Sequence, residues 1–149
     1  MNEDLFHLGI KALRQNDDGW LLLLKVNPEE FSGPNKHNIN YWDLAGGRVH
    51  RGVTAVETLR REVEEEIGVN GITVVRPIGM VLSNIRIPLS DGSDVGLVLS
   101  VYECKLPPNA AIRLSAEHTA YEWFPPKDAA ERLSIKYPKE FCEMIARLA

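Results

Sequence analysis

Glu62, Glu65 and Glu66 stand at i, i+3 and i+4 within the run Arg61-Glu62-Val63-Glu64-Glu65-Glu66-Ile67-Gly68-Val69. If that run is helical, the three carboxylates fall within about a 100° arc of one face. Unneutralised, they repel and raise one another's pKa. A hard, oxygen-preferring cation such as Mg²⁺ relieves the repulsion. Metal held there would lower the pKa of a bound water. The plainer alternative is a solvated acidic face, because runs such as Glu64-Glu65-Glu66 commonly carry nothing but exposed charge.

The helix that must position these groups is bounded by local signals. Thr54 followed by Glu57 three residues on reads as a capping box, and Gly68 after Ile67 reads as the residue that ends the helix. Val56, Leu59, Val63 and Ile67 form an apolar arc beside the acidic one. Such a helix packs one stripe on a core and holds its negative cluster at the edge of that packing. A glycine-rich turn, Gly46-Gly47-Arg48-Val49-His50-Arg51-Gly52, leads into it.

Together the turn and the charged run resemble the Nudix hydrolase signature. That signature is Gly, five residues, Glu, seven residues, Arg-Glu, a bulky aliphatic, any residue, Glu-Glu, any residue, Gly and a bulky aliphatic. Gly47, Arg61, Glu62, Val63, Glu65, Glu66, Gly68 and Val69 are in register with it. Val53 stands where the pattern has its first Glu, a group that in the family supports the loop and the signature Arg. Glu57 is no substitute, because on the helix it points well over 90° away from the acidic arc. Trp42-Asp43-Leu44-Ala45-Gly46-Gly47 resembles the strand and tight turn that precede the signature, with Ala45 where Pro is usual. Glu117, at the head of Glu117-His118-Thr119-Ala120-Tyr121-Glu122-Trp123-Phe124, matches the strand that returns an extra carboxylate to the site in many Nudix enzymes.

The resemblance implies a Nudix-type α/β/α sandwich with a mixed β-sheet between helices. It implies hydrolysis dependent on Mg²⁺, with Mn²⁺ as the other metal. The cation would be held by Glu62, Glu65, Glu66 and the backbone carbonyl of Gly46. Glu62 or Glu117 would be the base, and Arg61 would orient the cluster. The expected reaction is cleavage of the phosphoanhydride bond in a nucleoside diphosphate linked to another moiety. Two rivals remain: a house-cleaning nucleoside triphosphate pyrophosphatase using the same residues, and a Nudix-fold regulatory module that binds a nucleotide without cleaving it. Val53 motivates the last. Ile85 occupies the place where a proline accompanies ADP-ribose hydrolysis in the family, Pro88 comes slightly late, and no tyrosine of the dinucleoside polyphosphate type lies nearby. His118 receives no role at this stage.

At 149 residues and 44% hydrophobic, the chain suits one domain with a real core, and no stretch is apolar enough for a membrane span. The start Met1-Asn2-Glu3-Asp4-Leu5 lacks the pattern of a secretory signal, so the cytoplasm is the expected compartment. Cys104 and Cys142 have no paired metal-ligand spacing and read as reduced thiols. A net charge of −4 without a basic run argues against a nucleic-acid polymer as partner. A small nucleotide-derived substrate is compatible with that charge. A homodimer is compatible too, although no exposed stripe announces an interface.

Around the signature the pattern is one of strands and turns. Residues 5–13 and 20–26 read as a hairpin about Asp17-Asp18-Gly19, the second run being apolar enough for cover on both faces. Residues 27–40, too long for a tight turn, read as a surface loop and candidate lid in which Phe31 or Lys36 would reach a nucleotide. Residues 72–82 and 95–104 read as strands joined through Ser90-Asp91-Gly92-Ser93, and 121–124 as another. Helices are expected over 127–133 and 139–148. Trp20, Trp42 and Trp123, each in a strand-like segment, are read as core.

Overall fold

The computed structural model describes residues 2–30 and 40–148. Along the described residues run β1 (Phe6–Leu13), β2 (Leu21–Val26), β3 (Trp42–Asp43), β4 (Ala45–Arg48), α1 (Ala55–Ile67), β5 (Thr73–Leu82), β6 (Ile87–Pro88), β7 (Asp94–Lys105), β8 (His118–Phe124), α2 (Pro126–Leu133) and α3 (Lys139–Ala146). Residues 31–39, and with them Phe31 and Lys36, lie outside the described residues. Of the 27–40 stretch read as a surface loop and candidate lid, the described part holds a short 3-10 turn at Pro28–Glu30.

Alternation along β2 generates the layers. Leu21 and Leu23 enter one buried cluster with Leu97, Leu99, Val101, Ala129, Leu133, Phe141 and Ile145. Leu22 and Leu24 enter a second with Ile10, Leu59, Val63 and Ile67. Successive strand residues point to opposite faces, so a strand with four leucines in a row must be covered twice. Helix α1 covers one side and α2 with α3 the other, which makes the three-layer arrangement expected from the sequence. Removing any one of these buried leucines to alanine should cost about 2–5 kcal/mol.

The strands fall into two sheets. One has the order β4-β1-β7-β5 with β6 beside β7, and the other the order β3-β2-β8. The first is mixed, because β1 runs parallel to β7 while β4, β5 and β6 pair antiparallel. The expected β1–β2 hairpin is different in the structure. Its turn forms, with the Gly19 N–H donating to the Asn16 carbonyl at 2.9 Å. Beyond an isolated bridge between Gln15 and Leu21, however, the two strands part into separate sheets. Each is apolar enough to require partners and cover on both sides, and finds them far along the chain.

Helix α1 has the ends read from the sequence. The Glu57 N–H donates to Thr54 Oγ1 at 3.2 Å and the Thr54 N–H to Glu57 Oε2 at 3.1 Å. Gly68 is left-handed at φ 68° and its N–H donates to the Glu64 carbonyl at 2.9 Å, the conformation glycine adopts without penalty. The packed stripe is shifted from expectation by part of a turn: Val56 is exposed, and Thr58 is buried, its hydroxyl donating to the Thr54 carbonyl. Trp42 meets Phe124 edge-on at 5.0 Å and Trp123 packs against the α1-side cluster. Trp20, read as core, is 43% exposed.

Candidate active site at the junction of α1, β4 and β8

The acidic side of α1 lies directly on the Gly46-Gly47 backbone. In the β1–β4 ladder Gly46 stands opposite Lys11. A Cβ at Gly46 would collide with the Ile10 carbonyl, and one at Gly47 would occupy the space of the Glu62 carboxylate. Gly46 is therefore required by the close approach of two strands, whereas Gly47 leaves the room that the Glu62 carboxylate occupies.

This contact sorts the three carboxylates by depth. Glu66 is 4% exposed, and its Oε2 accepts the Gly46 N–H at 2.7 Å. Glu62 lies against Gly47 and its Oε1 accepts from Arg61 Nη2 at 3.1 Å. Glu65 is the outermost, its side chain 62% exposed and 4.0 Å from Arg61 Nε. Arg61 thus binds its neighbour Glu62 more closely than the residue one turn on. Gly46, expected to offer its carbonyl to metal, here uses its N–H to fix Glu66.

Glu117 and His118 arrive from the other side, at the start of β8. The segment before them is stitched to the end of α1, the Arg113 N–H donating to the Ile67 carbonyl at 2.8 Å and the Ser115 N–H to the Glu66 carbonyl at 3.1 Å. From the end of β2, the Asn27 side chain donates to the Ala116 carbonyl at 2.8 Å and its N–H to the Glu117 carbonyl at 3.0 Å. So held, one ligand atom each from Glu66, Glu117 and His118 lie within 4.8 Å of one another. Glu62 and Glu65 are not part of that trio. His118, without a role in the sequence reading, is part of it, and its Nδ1 is buried with no hydrogen-bond partner among the described residues.

Behind the trio lies a buried ionic network that sequence reasoning did not find. Asp43 Oδ2 accepts from Lys11 Nζ at 2.9 Å and Lys136 Nζ at 2.6 Å. Its Oδ1 accepts from the Tyr137 hydroxyl at 2.6 Å and the Leu44 N–H at 2.7 Å. Burial alone would raise the Asp43 carboxyl, but the two lysines, with the Lys136 and Tyr137 hydrogen bonds, outweigh it and hold the group well below the usual carboxylate range. Every lone-pair direction is used, as a buried charge requires.

Glu66 has the opposite balance. Burial pushes its carboxyl up to about 8; Lys11 and the Gly46 N–H pull it down, while Asp43 and Glu62 add to the rise. For His118, burial first and the Lys11 charge second bring the imidazole down to about 4. A buried carboxylate short of positive charge, a second carboxylate and a neutral imidazole with an orphaned nitrogen fit a divalent cation, whose charge and open valences answer both deficits.

A mixed sheet flanked by helices, with an acidic helix pressed on a Gly-Gly strand and further donors brought in by a later strand, is the architecture of the Nudix class. A NUDIX domain model matches residues 5–144, and the chain belongs to the Nudix family of hydrolases. It is 27% identical over 115 residues to the nucleoside triphosphatase NudI of Escherichia coli O139:H28, covering 75% of this chain and 77% of that protein. It is also 29% identical over 123 residues to an octanoyltransferase of Myxococcus xanthus; the match takes in 80% of this chain and only 30% of that longer protein. Among solved structures, a MutT protein from Methanosarcina mazei Go1 superposes with a TM-score of 0.71 at 25% identity, over 99% of this chain and 95% of that one.

Proposed function

We propose that this protein hydrolyses a phosphoanhydride bond of a small nucleotide with the aid of a divalent cation. The observation that carries the reading is Glu66, a nearly sealed carboxylate fixed by the Gly46 N–H beside Glu117. Glu66 and Glu117 would hold the cation at depth, with Glu62 and Glu65 nearer the solvent where a polyphosphate enters. When bound, the cation neutralises phosphate charge and makes water a competent nucleophile. Arg61 keeps Glu62 Oε1 occupied, which leaves Oε2 to take the proton from the attacking water, a contribution of typically 10²–10⁴-fold. Glu66, locked by its backbone donor, keeps the helix carboxylates in one arrangement and so supplies positioning.

Of the two substrate classes, the likeness to a protein named a nucleoside triphosphatase supports the triphosphate. The linked nucleoside diphosphate expected from the signature is the second reading, and the nucleotide-binding module without turnover, motivated by Val53, is the third. Chromatography of wild type and Glu66→Gln incubated with Mg²⁺ or Mn²⁺ and a panel of nucleoside triphosphates, nucleotide sugars, ADP-ribose and dinucleoside polyphosphates separates them. Release of pyrophosphate marks a triphosphate substrate, and two monophosphate-bearing products mark a linked diphosphate. Binding without turnover would favour the third reading. Near-normal hydrolysis by Glu66→Gln would sink the role given to that residue.

A further inference from the structure

The geometry points to His118 as a direct ligand of the cation, making this centre a mixed oxygen–nitrogen site, Glu66-Glu117-His118, suited to a first-row transition ion rather than to Mg²⁺. The inference rests on the reading above that Glu66 holds a cation. Three observations carry it. A ring nitrogen of His118 shares the 4.8 Å cluster with the two carboxylates. The Nδ1 of that ring is sealed from solvent and unpartnered among the described residues, an unusual state for a buried polar atom. Finally, the ring is delivered by backbone already pinned on two sides, to the end of α1 and to Asn27, so that side-chain adjustment alone would close three donors on one ion.

The choice of ion follows from donor chemistry. Mg²⁺ prefers oxygen and a near-ideal octahedron, whereas imidazole shifts preference toward the transition series. Glu62 and Glu65 lie outside the trio, which leaves Glu62 Oε2 to its role as base.

Mn²⁺ is the probe, because its electron spin-echo modulation reports nitrogen bound directly to the metal. With wild-type protein the modulation should contain a coordinated nitrogen that changes from ¹⁴N to ¹⁵N frequencies when histidine alone is labelled, a test needing no substitution. His118→Ala should remove that signal and weaken Mn²⁺ binding about tenfold or more, leaving Mg²⁺ binding within about twofold; a thermal melt checks that the variant is folded. Mn²⁺ that binds wild type and is lost in Glu66→Gln, yet shows no histidine nitrogen, overturns the role of His118 and leaves the carboxylate site standing. A histidine signal that persists in His118→Ala overturns it equally. No Mn²⁺ binding by wild type would overturn both the ligand and the cation reading beneath it.

Discussion

Replacing Glu66 by glutamine should stabilise the cation-free protein, and increasingly so as the pH rises. In the folded chain the Glu66 carboxyl keeps its proton up to about 8, against an ordinary value of 4.5. Between those two values the folded state binds more protons than the unfolded state, so stability falls as pH rises across the window. Each pH unit is worth about 1.36 kcal/mol, which makes the full loss on the order of 5 kcal/mol by pH 8. Glutamine keeps a carbonyl oxygen for the Gly46 N–H and removes only the ionisation. Urea denaturation of both proteins in chelator at pH 5, 6, 7 and 8 isolates the effect, since every other titrating group is common to the pair. The difference should be small at pH 5 and approach its full size at pH 8. Saturating divalent cation should erase it in the wild type by binding the ionised carboxylate of the folded state. Parallel curves, or a wild type that gains on the variant toward pH 8, would refute the argument that burial without a counter-charge governs this residue.

The two glycines should separate stability from catalysis. Gly47→Ala displaces only the flexible end of Glu62, so the melting free energy should change by less than about 1 kcal/mol while hydrolysis falls sharply. Gly46→Ala sets its Cβ against the β1 backbone and should cost more than about 3 kcal/mol in the same melt. Asp43→Asn leaves Lys11 buried without its counter-ion and should cost about 3–5 kcal/mol in denaturant titration at neutral pH. Because folding lowers the Asp43 pKa, the stability this group adds is present above the ordinary 3.8 and is lost as pH falls below it, so wild type and variant should converge in acid. Thr54→Ala should cost about 1 kcal/mol through the lost cap and leave turnover unchanged.

The helix that carries the acidic arc could be read from the chain because its signals are local. Thr54, Glu57 and Gly68 act on backbone within one turn of themselves, and both caps formed as expected. What the chain did not disclose depends on which distant segments meet. The partners of β1 and β2 are chosen across the whole domain, so a turn at Asp17-Asp18-Gly19 looked like a hairpin although its arms diverge. Lys11, Asp43 and the pair Lys136-Tyr137 come from three parts of the sequence, and nothing in any one of them announces the network. His118 gave no signal for a related reason: a lone histidine gains meaning only when burial strips its nitrogen of partners. The different depths of Glu62, Glu65 and Glu66 escaped notice as well. Helical spacing places them on one arc, but only the Gly46-Gly47 strand decides which of them is covered.

The stitching of residues 113–115 onto the last turn of α1 bears on how this protein ages and warms. The carbonyls of Glu66 and Ile67 are answered by amides from a segment some fifty residues downstream, so the helix end and the start of β8 open and close as one unit. Such an opening would lift Ile112 and Leu114 from the α1-side cluster but leave the other cluster covered, and so demands less free energy than global unfolding. It would nevertheless carry Glu117 and His118 away from Glu66 together. The site can therefore be lost by a local opening that breaks the seam between residues 113–115 and the end of α1 together with the β2–β8 pairing at His118, ahead of global unfolding.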